Sequence, residues 1–554
     1  MQSASPPSRL HERWFRCNAR LLARRKAAAA VGHALMVLIV CLASTSARGV
    51  EPLGPDGLRQ KLTQLFDKHP VTQRTIVTAK VIDVASGEVL FDRGSKKLLT
   101  PASNLKIYAT AAALDLLGPD YDQMTTRIVV RDESVYLIGG GAPMTERKDL
   151  KRWAAQLVDA MDERARGDPN APTRVVNVVP AAWADLPDKG PGWMWDDEPD
   201  YYNMTITPLM VDFNTLEVKV QPVRLSPAKV NVSVTPAGAY PPVITDVRPV
   251  PASESEPVRD VRIDRRPFTD TIRVTGELGV DAQPERDRIT MHDPDRWVAS
   301  VFAEMLRDHG LPIQTAVVQI GAEDELLEAG DRDAFRRAYP SRPLRIALKH
   351  FNRVSENAVG EMLLLHLGTK FGDAERFGAG AGWPKGARVI SDWLVEEARL
   401  PEGSFRLVDG SGLSRYNLIS AESAIRLLQY MHEHQDRDVF ADALPVYRVR
   451  LGDTGRWDGT PLQEFESRRV RAKSGGMSGV NTISGYIDTL DGRRLAFSFL
   501  TNGFIGSSAP SRDLRNKMWS ALVQYRPNAS TLSTDENAEP RRGHRAKPGA
   551  GAPR

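Results

Sequence analysis

The texture of apolar and polar positions changes twice along the chain. Over 58–67 apolar residues recur at helical spacing. Residues 75–82 are rich in β-branched side chains and read as a strand; 83–87 read as a turn, and 89–91 as the start of the returning strand. Pro101 precedes a helix expected over about 103–117, which Gly118-Pro119 stops. Between about 125 and 340, short strand-like runs at 127–130, 134–138, 216–220, 230–234 and 271–275 alternate with proline-rich turns. Only 150–163 and 296–309 have a clear helical pattern there, so this stretch reads as one or two inserted domains, mostly β. Helical periodicity returns strongly over 345–368 and again over 420–432. Three strands follow at 469–473, 482–489 and 495–501, with Asp491-Gly492 as the hairpin signal between the last two. An amphipathic helix is expected over 513–525, and the polar tail at 527–554 reads as disordered.

Composition narrows the class. At 554 residues the chain is too long for one ordinary core. It is 41% hydrophobic and 26% charged, as a folded protein should be. A net charge of +4 gives no case for a nucleic-acid partner. The only cysteines, Cys17 and Cys41, lie at the N-terminus, so the rest of the chain forms neither a disulfide nor a cysteine metal site. That N-terminus carries a basic run from Arg9 to Lys26, an apolar stretch over 27–43 and small residues at Thr45-Ser46-Ala47. Residues 1–47 therefore read as a cleaved export signal or a retained anchor, placing the protein in the periplasm or cell envelope. Any membrane contact is expected from this segment only.

Three short motifs carry chemistry. In Ser103-Asn104-Leu105-Lys106, a spacing of three puts hydroxyl and amine on one helical face. A lysine kept neutral by burial can then take the serine proton. In Ser355-Glu356-Asn357, the serine can pass a proton to a leaving amine and Asn357 can hold a substrate amide. In Lys473-Ser474-Gly475, at the end of a strand, the lysine offers a cation and Ser474 a hydroxyl for a substrate carboxylate, while Gly475 lets the backbone lie close to a bound peptide. Each motif alone is common: a helix start, a polar cap, a turn. Their ordered combination is that of penicillin-binding proteins and β-lactamases.

The flanking residues resemble one group within that class. The stretch from Pro101 to Lys106 with Ala112-Ala113-Leu114, the stretch from Asn352 to Asn357 with Glu361-Met362-Leu363-Leu364, the run from Asp409 to Asn417, and Arg471 to Met477 with Ser484-Gly485-Tyr486 are similar to class C low-molecular-mass penicillin-binding proteins. Those are D-Ala-D-Ala carboxypeptidases and endopeptidases. Gly192 to Asp197 and Tyr201-Tyr202 carry a weaker likeness. Two departures stand out: Ser474 replaces the usual threonine, and Ala142 stands where a glycine-rich segment normally carries aspartate.

The resemblance implies an α/β (α+β) fold, a penicillin-recognising serine-transferase core with an antiparallel sheet flanked by helices. Residues 55–124 and 341–526 would build it, split by the insertion at 125–340. It implies acyl-enzyme chemistry on peptidoglycan stem peptides, without metal or organic cofactor, with β-lactam antibiotics as covalent inhibitors. Ser103, Lys106, Ser355, Asn357 and Lys473 would be catalytic. Ser474, Gly475, Gly476 and Met477 would contact substrate, Gly476 through an oxyanion-binding N–H. Trp195, Asp197, Tyr202 and Met477 are further expected to line a pocket for the third peptide residue, with Asp196 and Tyr201 as an alternative register. A β-lactamase-like hydrolase and a non-catalytic wall-binding scaffold are the rival readings.

Overall fold

The computed structural model describes residues 52–131, 134–161, 174–180, 183, 185–223, 229–235, 241–253, 255–266, 269–318, 326, 328, 333–450 and 466–528. The export segment expected at 1–47 lies outside these residues, as do 529–554 of the expected tail and 162–163 of one expected helix.

The unit that begins at Gly54 is organised around a six-stranded antiparallel sheet. In spatial order its strands are Val446–Arg450, Glu466–Met477, Val480–Asp488, Arg494–Asn502, Ile76–Asp83 and Val89–Arg93. The two ends of the described chain therefore share one sheet, joined where Ala79 lies opposite Phe499. Strand Arg494–Asn502 is buried at every position except its two ends. It reads as an apolar run because helices Pro55–Lys68, Ala421–Glu433 and Ala509–Leu522 pack on the sheet.

A helical layer holds the rest of this core. Helix Lys106–Leu117 is apolar on all sides, and its first nine residues are buried. It packs against helices Leu344–Arg353, Asn357–Phe371 and Trp383–Glu396. The helical pattern over 345–368 belongs to two helices. Their break falls at Val354–Glu356, where Ser355 takes φ 64°. The apolar pattern runs through the break because the first helix buries one face and the second nearly its whole surface in the same cluster, around Phe351, Val359 and Leu363. Periodicity thus reports burial and is blind to a three-residue kink. Helix Trp383–Glu396 was not expected; Pro384 hides it in sequence, although proline is well tolerated in a first turn.

Residues 125–340 are richer in strands than their sequence implies. A five-stranded mixed sheet has the order Ile313–Val318, Arg174–Val179, Ser134–Ile138, Thr126–Arg131, Asp333–Tyr339. Its first and last strands in sequence, Thr126–Arg131 and Asp333–Tyr339, pair antiparallel, so the chain enters and leaves this region side by side. Ser134–Ile138, helix Arg147–Ala160 and Arg174–Val179 form a parallel crossover unit. Two three-stranded sheets complete the region. In one of them Val243–Val250 is exposed at most positions, which is why its hydrophobic signal is weak. The segment after the tryptophan-rich stretch is different. Met204, Ile206 and Met210 are buried in the same cluster as Leu105 and Phe351, so this part of the insert is anchored in the core.

Candidate active site

Ser103 sits in a single 3₁₀ turn, Ala102–Leu105, that leads into the buried helix. Pro101 starts the turn, and Ala102 is forced to φ 48°, a left-handed value costing about 1–3 kcal/mol for a residue with a side chain. The turn is clamped from two sides. A Cβ on Gly475 would collide with the Pro101 carbonyl, and one on Gly412 with the Ala102 carbonyl. Gly412 itself has φ 86°. Gly475 was expected to let the backbone lie close to a bound peptide. Its missing side chain instead lets the strand lie against the turn that carries Ser103. Gly476 is the position with open space: nothing lies within 4 Å of a Cβ placed there.

Lys106 is completely buried. Its Nζ lies 3.0 Å from Ser103 Oγ, 2.7 Å from Asn357 Oδ1 and 2.7 Å from the Ser411 carbonyl. Burial lowers its pKa to about 8, against the opposing pull of Asp409, Glu361 and Glu356. An amine that loses its proton near neutral pH beside a serine hydroxyl is equipped to act as a base. Asn357 is fixed from both ends, because its Nδ2 donates to the Tyr202 carbonyl at 2.9 Å.

Ser355 and Lys473 form the facing pair, with Lys473 Nζ 3.0 Å from Ser355 Oγ and 2.9 Å from the Ser474 carbonyl. Burial and the nearby Lys106 charge push the Lys473 pKa well below the usual lysine range. The Ser474 hydroxyl accepts from Tyr447 Oη at 3.1 Å.

Beneath these groups lie two carboxyls whose roles the sequence did not reveal, although both fall in the family-like stretches. Glu361 accepts from Ser411 N at 2.8 Å and Trp383 Nε1 at 2.9 Å; burial and Asp409 raise its pKa to about 7. Asp409 accepts from Gly412 N at 2.8 Å, Trp193 Nε1 at 3.1 Å and Asn417 Nδ2 at 2.7 Å. Together they hold the loop that aims the Ser411 carbonyl at Lys106. They could have been suspected from acidic residues standing inside apolar or glycine-rich runs.

The groups open onto a cavity of about 680 Å³. Its lining includes Ser103, Ser355, Asn357, Lys473, Ser474, Gly476 and Met477 from the core. The strand-rich region 125–340 contributes Met194, Asp197, Tyr201 and Tyr202. Tyr202 Oη lies between two carboxylates, 2.7 Å from Asp200 Oδ2 and 3.2 Å from Asp197 Oδ1, and partial burial raises the Asp197 pKa. Trp195 does not join them. It is 70% exposed and absent from the lining, because the 3₁₀ turn Trp195–Asp197 aims its neighbours Met194 and Asp197 inward and leaves the indole outside. Arg415 and Tyr447 also line the cavity and were missed. Arg415 stood inside the Asp409–Asn417 signature, whereas Tyr447 lies on an edge strand with no sequence mark.

The model of the D-Ala-D-Ala carboxypeptidase 3 (S13) family matches residues 58–525. The chain belongs to this family. It is 30% identical over 494 residues to the D-alanyl-D-alanine carboxypeptidase of Actinomadura sp. (strain R39), covering 83% of this chain and 84% of that one. It is 25% identical over 430 residues to penicillin-sensitive carboxypeptidase A of Dictyostelium discoideum, covering 74% and 78%. Among solved structures, penicillin binding protein 4 of Haemophilus influenzae matches with a TM-score of 0.66 at 18% identity, covering 84% of this chain and 99% of that one. That structure supports the α/β fold alone. Family membership makes the protein a serine-type D-Ala-D-Ala carboxypeptidase. No helix among the described residues is long and apolar enough to cross a membrane.

Proposed function

We propose that Ser103 is the nucleophile of this carboxypeptidase and Lys106 its base. The observation that carries the reading is the 3.0 Å contact between Lys106 Nζ and Ser103 Oγ, with the amine fully buried. Lys106 takes the hydroxyl proton as Ser103 Oγ bonds to the carbonyl carbon of the penultimate D-Ala. The resulting oxyanion lies against the backbone N–H groups of Ser103 and Gly476; losing one such donor costs about 2.7–4 kcal/mol in the barrier. As the C–N bond breaks, Ser355 gives its proton to the departing amine and is reprotonated by Lys473 at 3.0 Å; the proton that Lys106 took passes on to Lys473, which leaves Lys106 neutral for the next step. That amine belongs to D-Ala in a carboxypeptidase reaction and to the cross-link in an endopeptidase reaction. Water then hydrolyses the ester, with Lys106 again as base. Ser474 receives the terminal carboxylate, which supplies the counter-charge for Lys473 behind it.

The insert side of the cleft reads the third peptide residue. Asp197 and Arg415 line the same cavity with opposite charges, and Tyr202 and Met477 provide ring and thioether surface. This set suits a side chain ending in both ammonium and carboxylate, as in diaminopimelate, with its methylenes on the apolar groups. Residues 55–124 and 341–526 act as the catalytic domain and 125–340 as its insertion. Export by residues 1–47 would deliver the enzyme to the periplasm or envelope, where stem peptides are found. β-Lactams acylate Ser103 because their strained amide presents the same carbonyl.

Labelling with a fluorescent penicillin tests the reading. We expect a long-lived covalent label on the wild type and none on Ser103→Ala. A label lost within seconds would indicate a β-lactamase, and absence of label on the wild type a non-catalytic scaffold.

A further inference from the structure

The loop that carries Ser355 and Asn357 also carries Glu356, which is only 3% exposed. A buried carboxylate needs a partner. One of its oxygens, Oε1, has no hydrogen-bond partner among the described residues. The other lies 3.6 Å from Arg288 Nη2, a residue of the insert strand Glu285–Thr290. The Arg288 guanidinium is itself held, 5.0 Å above the ring of Tyr201 and 3.2 Å from Thr215 Oγ1. Burial raises the pKa of Glu356, and Arg288 first and Lys106 second pull it back down; Lys106 in turn feels Glu356, after Asp409 and Glu361. The charge of Glu356 is therefore shared between one cation on the insert and the amine that must lose its proton.

We propose that Arg288 is a positioning residue for the acylation step: by neutralising Glu356 from the insert side, it frees Lys106 to stay on Ser103 as a base. This rests on Lys106 acting as the base, as proposed above. Without Arg288 the one remaining cation facing Glu356 among its described neighbours is Lys106. The buried carboxylate then holds Lys106 protonated and draws it off Ser103 Oγ. Around Lys106 the other charged groups are Glu361 and Asp409 beneath it and Lys473 across the cleft. All three carboxyls take a backbone N–H donor; Glu356 is the one whose partner cation, Arg288, comes from the insert. The Tyr202 carbonyl, which holds Asn357, is a second contact by which the insert reaches the machinery. On this reading the insert completes the base as well as facing the substrate.

The test is a double-mutant cycle on the full-length protein, reading the second-order rate of acylation by a fluorescent penicillin. Arg288→Met keeps most of the stem without the charge, and we expect it to slow acylation by about 10-fold or more. Arg288→Lys should recover most of the rate. In a Glu356→Gln background, where there is no charge to neutralise, adding Arg288→Met should cost no more than about 2-fold. An equal loss in both backgrounds, or wild-type acylation by Arg288→Met, would overturn the proposal. Unchanged melting temperatures for the Arg288 variants exclude a folding defect. Wild-type acylation by Lys106→Ala would instead sink the base assignment, and is read separately.

Discussion

The two walls of the cleft are built differently. On the core wall Lys106, Asn357 and Lys473 are at most 6% exposed, and each has hydrogen-bond partners on other elements. On the insert wall Met194 is 41% exposed and Tyr201 43%. Desolvation, the larger cause, lowers the pKa of both core lysines, whereas Asp197 on the insert wall is only partly buried. Reactivity needs groups whose charge state and position are fixed before substrate arrives, and a dry, packed setting provides both. Recognition of a side chain tolerates a wetter wall, where each contact contributes less. The comparison predicts that substitutions on the core wall will have large effects on every substrate. Those on the insert wall should have small effects that depend on the third residue.

The largest effect is expected at Ser103. Ser103→Ala should abolish both D-Ala release and penicillin labelling, measured by released amino acid and gel fluorescence. Detectable labelling of the variant would show that the core wall holds a second nucleophile. Next comes pH. Acylation requires neutral Lys106, so its rate should rise about tenfold per pH unit below the pKa of about 8 and level off above it. A stopped-flow profile that is flat from pH 6 to 8 would break the link between burial and base.

Lys473→Met should cost roughly 30-fold or more on peptides with a free terminal carboxylate and clearly less on their amides, compared by kcat/KM. Equal losses would assign Lys473 wholly to the Ser355 proton path. Asp197→Asn should cost about 5- to 10-fold on peptides whose third residue has a free amine, and nothing on the acetylated analogue. If the wild type has no preference between the two peptides, the insert wall does not read that side chain. The smallest effect is expected at Trp195: Trp195→Ala should change kcat/KM by less than about 2-fold on either peptide. A loss comparable to that at Asp197 would mean that the exposed indole closes over the substrate.

Much of the core was legible because its elements are strongly patterned. The strands expected at 482–489 and 495–501 correspond to Val480–Asp488 and Arg494–Asn502, since the hairpin signal and the apolar runs agree. The insert was legible only in outline. Strands such as Val243–Val250 and Arg259–Arg265 carry charges on half-exposed surfaces and lack a clean alternation. The misplacement of Trp195 has the same origin. A tryptophan count indicates apolar surface, but the direction of an indole in a three-residue turn depends on packing that no local pattern records.

The sequence by itself determined the local geometry of the Ser103–Lys106 pair. Ser103 and Lys106 stand three residues apart, and a helical turn brings any such pair together. Chain order and flanking residues were likewise enough to identify the family. Only the tertiary structure decided what those groups become. Asn357 reaches Lys106 across 251 residues of chain, and Lys473 reaches Ser355 across 118. The left-handed Ser355, the clamp of Gly475 and Gly412 on the Ser103 turn, and the ion pair from Arg288 to Glu356 all arise where distant segments pack. The physical reason is range. A helical turn is satisfied by its own neighbours, whereas the burial that lowers the pKa of Lys106 is made by every element that closes around it.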